Sequence, residues 1–466
     1  MTTLSLDSEQ QRVLGWRISS KDVAAVIGPP GCGKTTVGSG LAVKLIAEGI
    51  ANRVLLVAYT NAAANEFGWE LYNILGATAE RLCLRTGNPT GMDPSLPIPY
   101  SRCADDILAK RIIISTNLSL KRLPPMRFDN MIIDEAGIER LEHLLWPFCF
   151  GVNNLLPSSS SASASLPSQQ LRINNTNQEN MKPEKINDLM ELIAKCGIVA
   201  TVVGDPKQSR PISPIHLDYS AIEYVMNRSP YDILHISHRL PDKLSGLVNE
   251  FADYGGLISA PDVASRRLTL DQKPDIEYRD VIQPTEVTTW LDIDGKEEAA
   301  GPTSWANDME AKACAKICNH LTSLTRKSIV VITRFTAQKQ LIRNYLQKLG
   351  HKEDIKVTTT TGALGTQADI VLFSLVRNNP DRNVGAAGTL QDLNVAISRS
   401  KEKLIILGNF DMMLNGWTNS SYITSSSSSS TNYGYSRKSP ARNLARLIDS
   451  KYGKVIEVPQ QIVENC

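Results

Sequence analysis

The run Gly28-Pro29-Pro30-Gly31-Cys32-Gly33-Lys34-Thr35 has the residue types and spacing to hold a triphosphate. It follows the apolar run Val23-Ala24-Ala25-Val26-Ile27 and precedes a helix-prone stretch from Thr36 to Ala47. Between a strand and a helix, G-x-x-x-x-G-K-T reads as a phosphate-binding loop. Its glycines let successive backbone N–H groups curl around the β-phosphate, and the helix dipole adds positive potential there. Lys34 is expected to reach the β- and γ-phosphates, and the Thr35 hydroxyl to ligate Mg²⁺. With Thr36 at the helix start, Gly28 to Thr35 form the expected cradle for ATP. A glycine-rich turn that spells the pattern by chance is the alternative, and the flanking strand and helix weigh against it.

A second pair of reactive groups lies in Met131-Ile132-Ile133-Asp134-Glu135-Ala136, two acids at the end of an apolar strand. Asp134 suits a Mg²⁺ ligand, and Glu135 suits a general base that polarises the attacking water. Acids after a strand also serve as helix N-caps, but downstream of Lys34-Thr35 the catalytic reading is the stronger. The run Val199 to Val203 ends in Gly204-Asp205-Pro206-Lys207-Gln208, where Gln208 could bridge the γ-phosphate and a neighbouring domain. By itself that segment is only a turn with a glutamine.

These groups need a scaffold, and the chain has the length for two or three domains: 466 residues, 42% hydrophobic and 21% charged, with a net charge of +2. Such a balance is ordinary for a soluble globular protein, and a nucleic-acid binder need be basic only along its groove. No apolar run approaches the ~18 residues of a membrane span. Met1 to Asp7 lacks the basic and apolar regions of a signal peptide, so an intracellular, non-secreted protein is expected. The eight cysteines are scattered. Cys314 and Cys318 share a helix face and read as buried small residues rather than zinc ligands.

β-Branched runs alternate with helical stretches, which predicts an α/β fold with parallel sheets. Each half supplies a sheet's worth of strands, so two domains are expected, 1–235 and 236–466. Two segments fall outside this plan. Residues 153–185 are Ser/Ala- and then Asn/Gln-rich, and residues 417–437 contain the run Ser425 to Ser430. Neither has enough apolar surface to offset its ordering entropy, so flexible insertions are predicted there; docking of partner proteins is a further possibility for them.

In order, these pieces resemble superfamily 1 helicases of the up-frameshift-like and senataxin-like branch, from Gln10 to Gly408. Leu6-Asp7-Ser8-Glu9-Gln10 is similar to the family's adenine-reading motif, with Gln10 as reader. Ala58-Tyr59-Thr60-Asn61 resembles motif Ia and Ser115-Thr116 motif Ib, so Thr60, Asn61 and Thr116 are implied nucleic-acid contacts. Asp134-Glu135 corresponds to motif II and Gly204 to Gln208 to motif III. Ser237-His238-Arg239-Leu240-Pro241 stands where the family carries an arginine finger, Arg239. Asp292-Ile293-Asp294-Gly295 and Asn307-Asp308-Met309-Glu310-Ala311 resemble the entry to the second domain. Ile332 to Gln338 resembles the next motif, with Thr333 implied at the strand. Gly365-Thr366-Gln367-Ala368-Asp369 resembles motif V, with Gly365 and Gln367 at the nucleotide. Asn394 to Lys401 resembles motif VI, with Arg399 as a second finger.

The resemblance implies two RecA-like domains with parallel sheets flanked by helices and ATP in the cleft between them. Its implied catalytic set is Lys34, Glu135, Gln208, Arg239 and Arg399, with ATP and Mg²⁺ (on Thr35 and Asp134) as cofactors. Arginine suits the finger role because its planar fork meets phosphate oxygens while staying charged. The implied activity is ATP-driven movement of a monomer on single-stranded DNA or RNA, in the 5′-to-3′ direction. An ATP-switched binding scaffold is the alternative. Three positions depart from the family pattern: Ile138 where a Gln is usual, Leu364 before Gly365, and Gln367 in place of an acid. The short stretches before the phosphate loop and between motifs Ia and Ib predict a near-minimal motor without large accessory domains.

Overall fold

Apolar runs without polar alternation become strands covered on both faces. Val54 to Ala58 and Ile112 to Ile114 are wholly buried, as parallel strands between helical layers must be. The computed structural model describes residues 5–152, 198–208, 220–351, 355–417 and 439–464. The Ser/Asn-rich stretch 153–185 lies outside the described residues, as does 417–437 but for Trp417.

The chain divides into two units. The first comprises Met1–Val26, Thr35–Gly204 and Ala221–Asp232; the second comprises Ile27–Lys34, Asp205–Ser220 and Ile233–Cys466. The phosphate-loop segment and the segment after the Val199 strand therefore cluster with the second unit. Among the described residues, no helix is long and apolar enough to cross a membrane.

A seven-stranded sheet is built from β1 (Ala24–Ile27), β2 (Val54–Ala58), β3 (Cys83–Arg85), β4 (Ile112–Thr116), β5 (Asn130–Ile133), β6 (Val199–Gly204) and β7 (Tyr231–Ile233), in the order β3-β4-β2-β5-β6-β1-β7. The pairs from β3 through β6 are parallel. Non-consecutive neighbours require crossovers, so loops at the carboxyl ends of different strands come together, where α/β folds bind ligands. Three helices matter for the site: α1 (Ser8–Ser19), α2 (Lys34–Ala47) and α3 (Asn61–Leu75).

In the second unit, Ile236–Ser237 (β8) and Ile258–Ser259 (β9) form a short parallel ladder. The main sheet contains β10 (Thr288–Asp292), β13 (Ile329–Thr333), β14 (Lys356–Thr359), β15 (Ala368–Ser374), β16 (Ser400–Gly408) and β17 (Lys454–Glu457). Its order is β14-β13-β15-β16-β10-β17, parallel throughout. A hairpin of β11 (Glu297–Ala299) and β12 (Trp305–Asn307) leads into helix α4 (Asp308–Leu324). Ala311, Cys314, Cys318 and Leu321 of α4 lie on the buried face, and both cysteines are free.

One polar residue of α4 is wholly buried. Glu310 accepts from Ser374 Oγ at 2.6 Å and from the Val376 N–H at 3.0 and 2.9 Å. Val376 has φ 72°, a costly left-handed conformation for a β-branched residue. Glu310 thus holds the turn that follows β15. Burial pushes its carboxyl up to about 8 despite these donors. Folded Glu310 keeps its proton where an unfolded glutamate, near 4.5, has lost it. The associated stability is full below that lower value and is lost as pH rises through about 8. Thermal melts between about pH 5 and pH 9 should show Tm falling as pH rises, and Glu310→Gln should flatten that slope.

Candidate nucleotide site

The phosphate loop takes its shape from two residues in the left-handed region, Gly31 (φ 81°) and Gly33 (φ 73°). Other residues rarely tolerate that conformation. A Cβ at Gly28 would lie 2.9 Å from Lys34 Cγ, so this glycine leaves room for the lysine stem. The Lys34 ammonium donates to the carbonyls of Gly28 at 2.6 Å and Pro29 at 3.1 Å. Pro29, Pro30 and Cys32 are buried beneath the loop, and Lys34 opens helix α2.

Thr35, next in α2, is hydrogen-bonded through its hydroxyl to Asp134 Oδ2 at 3.0 Å. Neighbouring strands fix this corner: Asp134 N–H donates to the Val57 carbonyl of β2, and Ala136 N–H to Val203 of β6. Gly204 is closely packed here: a Cβ would meet the Gly137 nitrogen at 3.0 Å. Among the described residues no group of three or more His, Cys, Asp or Glu could cage a metal. One hydroxyl beside one carboxylate fits Mg²⁺, which takes few protein ligands and completes its shell with phosphate and water. Thr36 lies with its side chain bonded to Glu70.

Glu135 has φ 58°. Its Oε2 accepts from both the Thr60 N–H, at 3.1 Å, and the Thr60 hydroxyl, at 2.9 Å. Burial, and then the charge of Asp134, push the carboxyl up to about 7 against these donors. A carboxyl poised near neutrality suits a general base. Thr60 also caps α3, accepting from Ala63 N–H at 3.1 Å. The residue expected at the nucleic acid thus holds the expected base.

The other strand-side candidates sit at adjacent strand ends. Asn61 Oδ1 accepts from Arg85 Nη2, at the end of β3, at 2.8 Å. Thr116, closing β4, bonds to Ser119 Oγ at 2.9 Å. Ile138, where the resemblance leads one to expect Gln, is buried. Glu139 is 1% exposed and accepts from Asn117 Nδ2 at 2.8 Å and faces His143 Nδ1 at 3.1 Å. Gln10 closes a capping box with Asp7 at the start of α1 and is buried. Thr333, in the second unit, is fully buried at the end of β13.

Within the second unit, residues of the segments resembling motifs III and VI form one half-buried network. Asp205 Oδ2 accepts from the Tyr254 hydroxyl at 2.7 Å and Gln208 Nε2 at 3.0 Å. Gln208 Oε1 accepts from Arg399 Nη2 at 3.0 Å, while Arg399 Nε donates to the Val395 carbonyl at 2.9 Å. Asn394 Nδ2 donates to the Tyr254 oxygen and to the Lys207 carbonyl, both at 2.8 Å. Burial raises the Asp205 carboxyl, opposed chiefly by the positive charge of Lys34. Tyr254 is raised well above its ordinary range, first by burial and then by Asp205. Sequence reasoning missed Tyr254. Its only local signal is the Gly255-Gly256 pair after a left-handed Asp253, which marks the end of a helix and nothing about the hydroxyl.

Arg239 rises from a segment packed on the loop. Ser237 Oγ donates to the Pro30 carbonyl at 3.1 Å and His238 N–H to the Gly31 carbonyl at 2.9 Å. The Arg239 Nε donates to Gln367 Oε1 at 3.0 Å and its Nη1 to the Ser398 carbonyl at 3.2 Å. Gly365 has φ 69°, as the turn before Gln367 requires.

Two family models, each described as an AAA domain, match the chain over residues 5–144 and 217–411. The chain is similar to the DNA polymerase alpha-associated DNA helicase A of Saccharomyces cerevisiae, 24% identical over 88% of this chain and 65% of that protein. It is similar to the regulator of nonsense transcripts 1 homolog of Drosophila melanogaster, 23% identical over 84% of this chain and 33% of the relative. A third relative, the DNA replication ATP-dependent helicase/nuclease DNA2 of Saccharomyces cerevisiae, is 24% identical over 87% and 26%. The chain therefore spans less than two thirds of the length of each of these curated relatives. The homologues of the chain are thus Upf1-like and DNA2-like superfamily 1 helicases.

Proposed function

We propose that the chain hydrolyses ATP on the Gly28–Thr35 loop and couples hydrolysis to movement along single-stranded DNA or RNA. The 5′-to-3′ direction is the one implied by resemblance to the up-frameshift-like branch. The observation that carries this reading is the pair of hydrogen bonds from Thr60 to Glu135. A catalytic carboxylate whose donors belong to a strand-side residue gives nucleic acid a direct route to the hydrolytic step. Asn117 and Glu139 supply a second route, from the end of β4 to the segment after Glu135.

In this reading Lys34 exchanges its backbone carbonyl partners for the β- and γ-phosphates. Glu135 takes the proton of the attacking water as it adds to the γ-phosphorus. Arg239 and Arg399 offset charge on the phosphate oxygens as the β–γ bridge breaks. With ATP bound, Mg²⁺ held by Thr35 and Asp134 would neutralise part of the phosphate charge. Gln208, bonded to Asp205 and Arg399, ties the γ-phosphate region to the helix that carries Asn394.

ATP turnover measured with and without single-stranded DNA and RNA tests the reading. Lys34→Ala should lower turnover on the order of 10²–10³-fold and Glu135→Gln roughly 10²–10⁴-fold. Strand binding should weaken steeply with salt, because phosphate contacts dominate it. A wild-type protein whose turnover no strand stimulates would overturn the proposal. Tyr254→Phe removes one hydroxyl from the buried Asp205 network and should lower strand-stimulated kcat roughly 10-fold, with KM for ATP little changed.

A further inference from the structure

Three side chains from three segments of the second unit converge on one carboxylate, that of Asp392. Thr360 Oγ1, just past β14, donates to Asp392 Oδ1 at 2.6 Å, and Thr389 Oγ1 donates to Oδ2 at 2.9 Å. Arg334, just past β13, sets its Nε 2.9 Å from the same Oδ2, near enough for an ion pair but without the alignment of a hydrogen bond. The β13 and β14 segments are neighbours: Thr333 pairs with Thr359, and the Thr360 N–H donates to the Thr333 carbonyl at 3.0 Å. Asp392 stands in the first turn of an eight-residue helix, α5 (Leu390–Ile397), and Thr389 is its N-cap. Further along α5, Asn394 reaches the Tyr254 hydroxyl, and the Val395 carbonyl accepts from Arg399 Nε at 2.9 Å. One helix of about 12 Å thus holds Arg399 at one end and the loops after β13 and β14 at the other. Thr333 is wholly buried, whereas the Arg334 side chain is 37% exposed.

We propose that Asp392 is a positioning residue that reports a bound nucleic-acid strand to Arg399, with Arg334 as the residue that meets a strand phosphate. The inference rests on the reading of the chain as a strand-stimulated ATPase in which Arg399 meets ATP. The carboxyl ends of β-strands are where α/β folds take ligands, and a guanidinium presents a fork that fits phosphate oxygens. The Arg334–Asp392 pair is suited to exchange, because a partly solvent-facing ion pair holds its members weakly. When the guanidinium moves to a phosphate, Asp392 keeps two hydroxyl donors. It also stays in the first turn of a helix, where negative charge is favoured. The exchange releases that turn from the loop after β13, and a short rigid helix carries the change to Asn394 and Arg399. A static surface ion pair is the competing account, and it predicts neither a lost phosphate contact nor a selective loss of stimulation.

The full chain is compared as wild type, Arg334→Gln, Asp392→Asn and the double variant. Binding of labelled single-stranded DNA and RNA oligonucleotides is measured across salt concentrations, and ATP turnover is measured with and without saturating strand. Arg334→Gln should weaken strand binding and make the salt dependence shallower by about 0.7 in the log–log slope, one phosphate contact on a single strand. Asp392→Asn should keep the wild-type slope and bind strand at least as tightly. Its ratio of stimulated to basal turnover should nonetheless fall at least about 5-fold, the low end of a coupling between sites. The double variant should be stimulated no less than Asp392→Asn alone, since both residues act on one route. Thr360→Val, which removes one donor to Asp392, should lower the same ratio with strand binding unchanged, and it replaces Asp392→Asn if that protein does not fold. An unchanged salt slope in Arg334→Gln would overturn the proposal alone. So would equal losses of basal and stimulated turnover in Asp392→Asn, which would reduce the carboxylate to packing, or a fully stimulated Asp392→Asn protein. A wild type whose turnover no strand stimulates would overturn the functional reading and this inference together.

Discussion

The close approach of Gly31 to Ser237 and Arg239 is the constraint on which much else depends. The loop must turn with φ 81° at Gly31 and 73° at Gly33 to point its N–H groups inward. It must do so where a Cβ at Gly31 would collide with Ser237 Oγ and Arg239 Cβ. Meeting both conditions with glycine brings the Arg239 backbone against the phosphate loop and leaves only the guanidinium to be aimed. Gln367 and the Ser398 carbonyl both accept from that guanidinium. The reach of Lys34 depends on a similar economy, since Gly28 makes room for its stem.

A second principle is the satisfaction of buried charge. Glu135, Asp205 and Glu310 are each enclosed, and burial raises each carboxyl. Leaving such groups without donors would be costly, and in each case at least one donor comes from a distant segment. Thr60 serves Glu135, Tyr254 and Gln208 serve Asp205, and Ser374 with Val376 serves Glu310. These bonds fix loops that a parallel sheet leaves at its carboxyl ends, where few backbone partners are available. The same bonds tie the residues of the proposed chemistry together: Glu135 to the Thr60 loop in the first unit, and Gln208 to Arg399 in the second. Beside the buried, apolar Ile138, Glu139 makes a further link of this kind by accepting from Asn117.

Local chemistry makes much of this protein legible along the chain itself. Apolar runs such as Ile112 to Ile114 are strands because no polar residue interrupts them, and their continuity marks strands covered on both sides. The phosphate loop is equally local, since glycines at two positive-φ positions followed by Lys-Thr define it within eight residues. Gln10 shows the limit of a motif: Asp7 and Gln10 satisfy each other at a helix start, a capping box that the same letters spell. Thr333 resembles a strand contact by position, yet folding buries it completely.

By itself, then, the amino-acid sequence determined the strands, the ATP loop, the acid pair and the order of motifs, because each depends on neighbours along the chain. Only the tertiary structure decided which distant residue satisfies which buried group. Thr60 meets Glu135 across 75 residues, Tyr254 meets Asp205 across 49, and Arg239 meets Gln367 across 128. No periodicity or spacing records such pairings. They arise when crossovers bring unrelated strand ends side by side and burial obliges the polar groups found there to bond to one another.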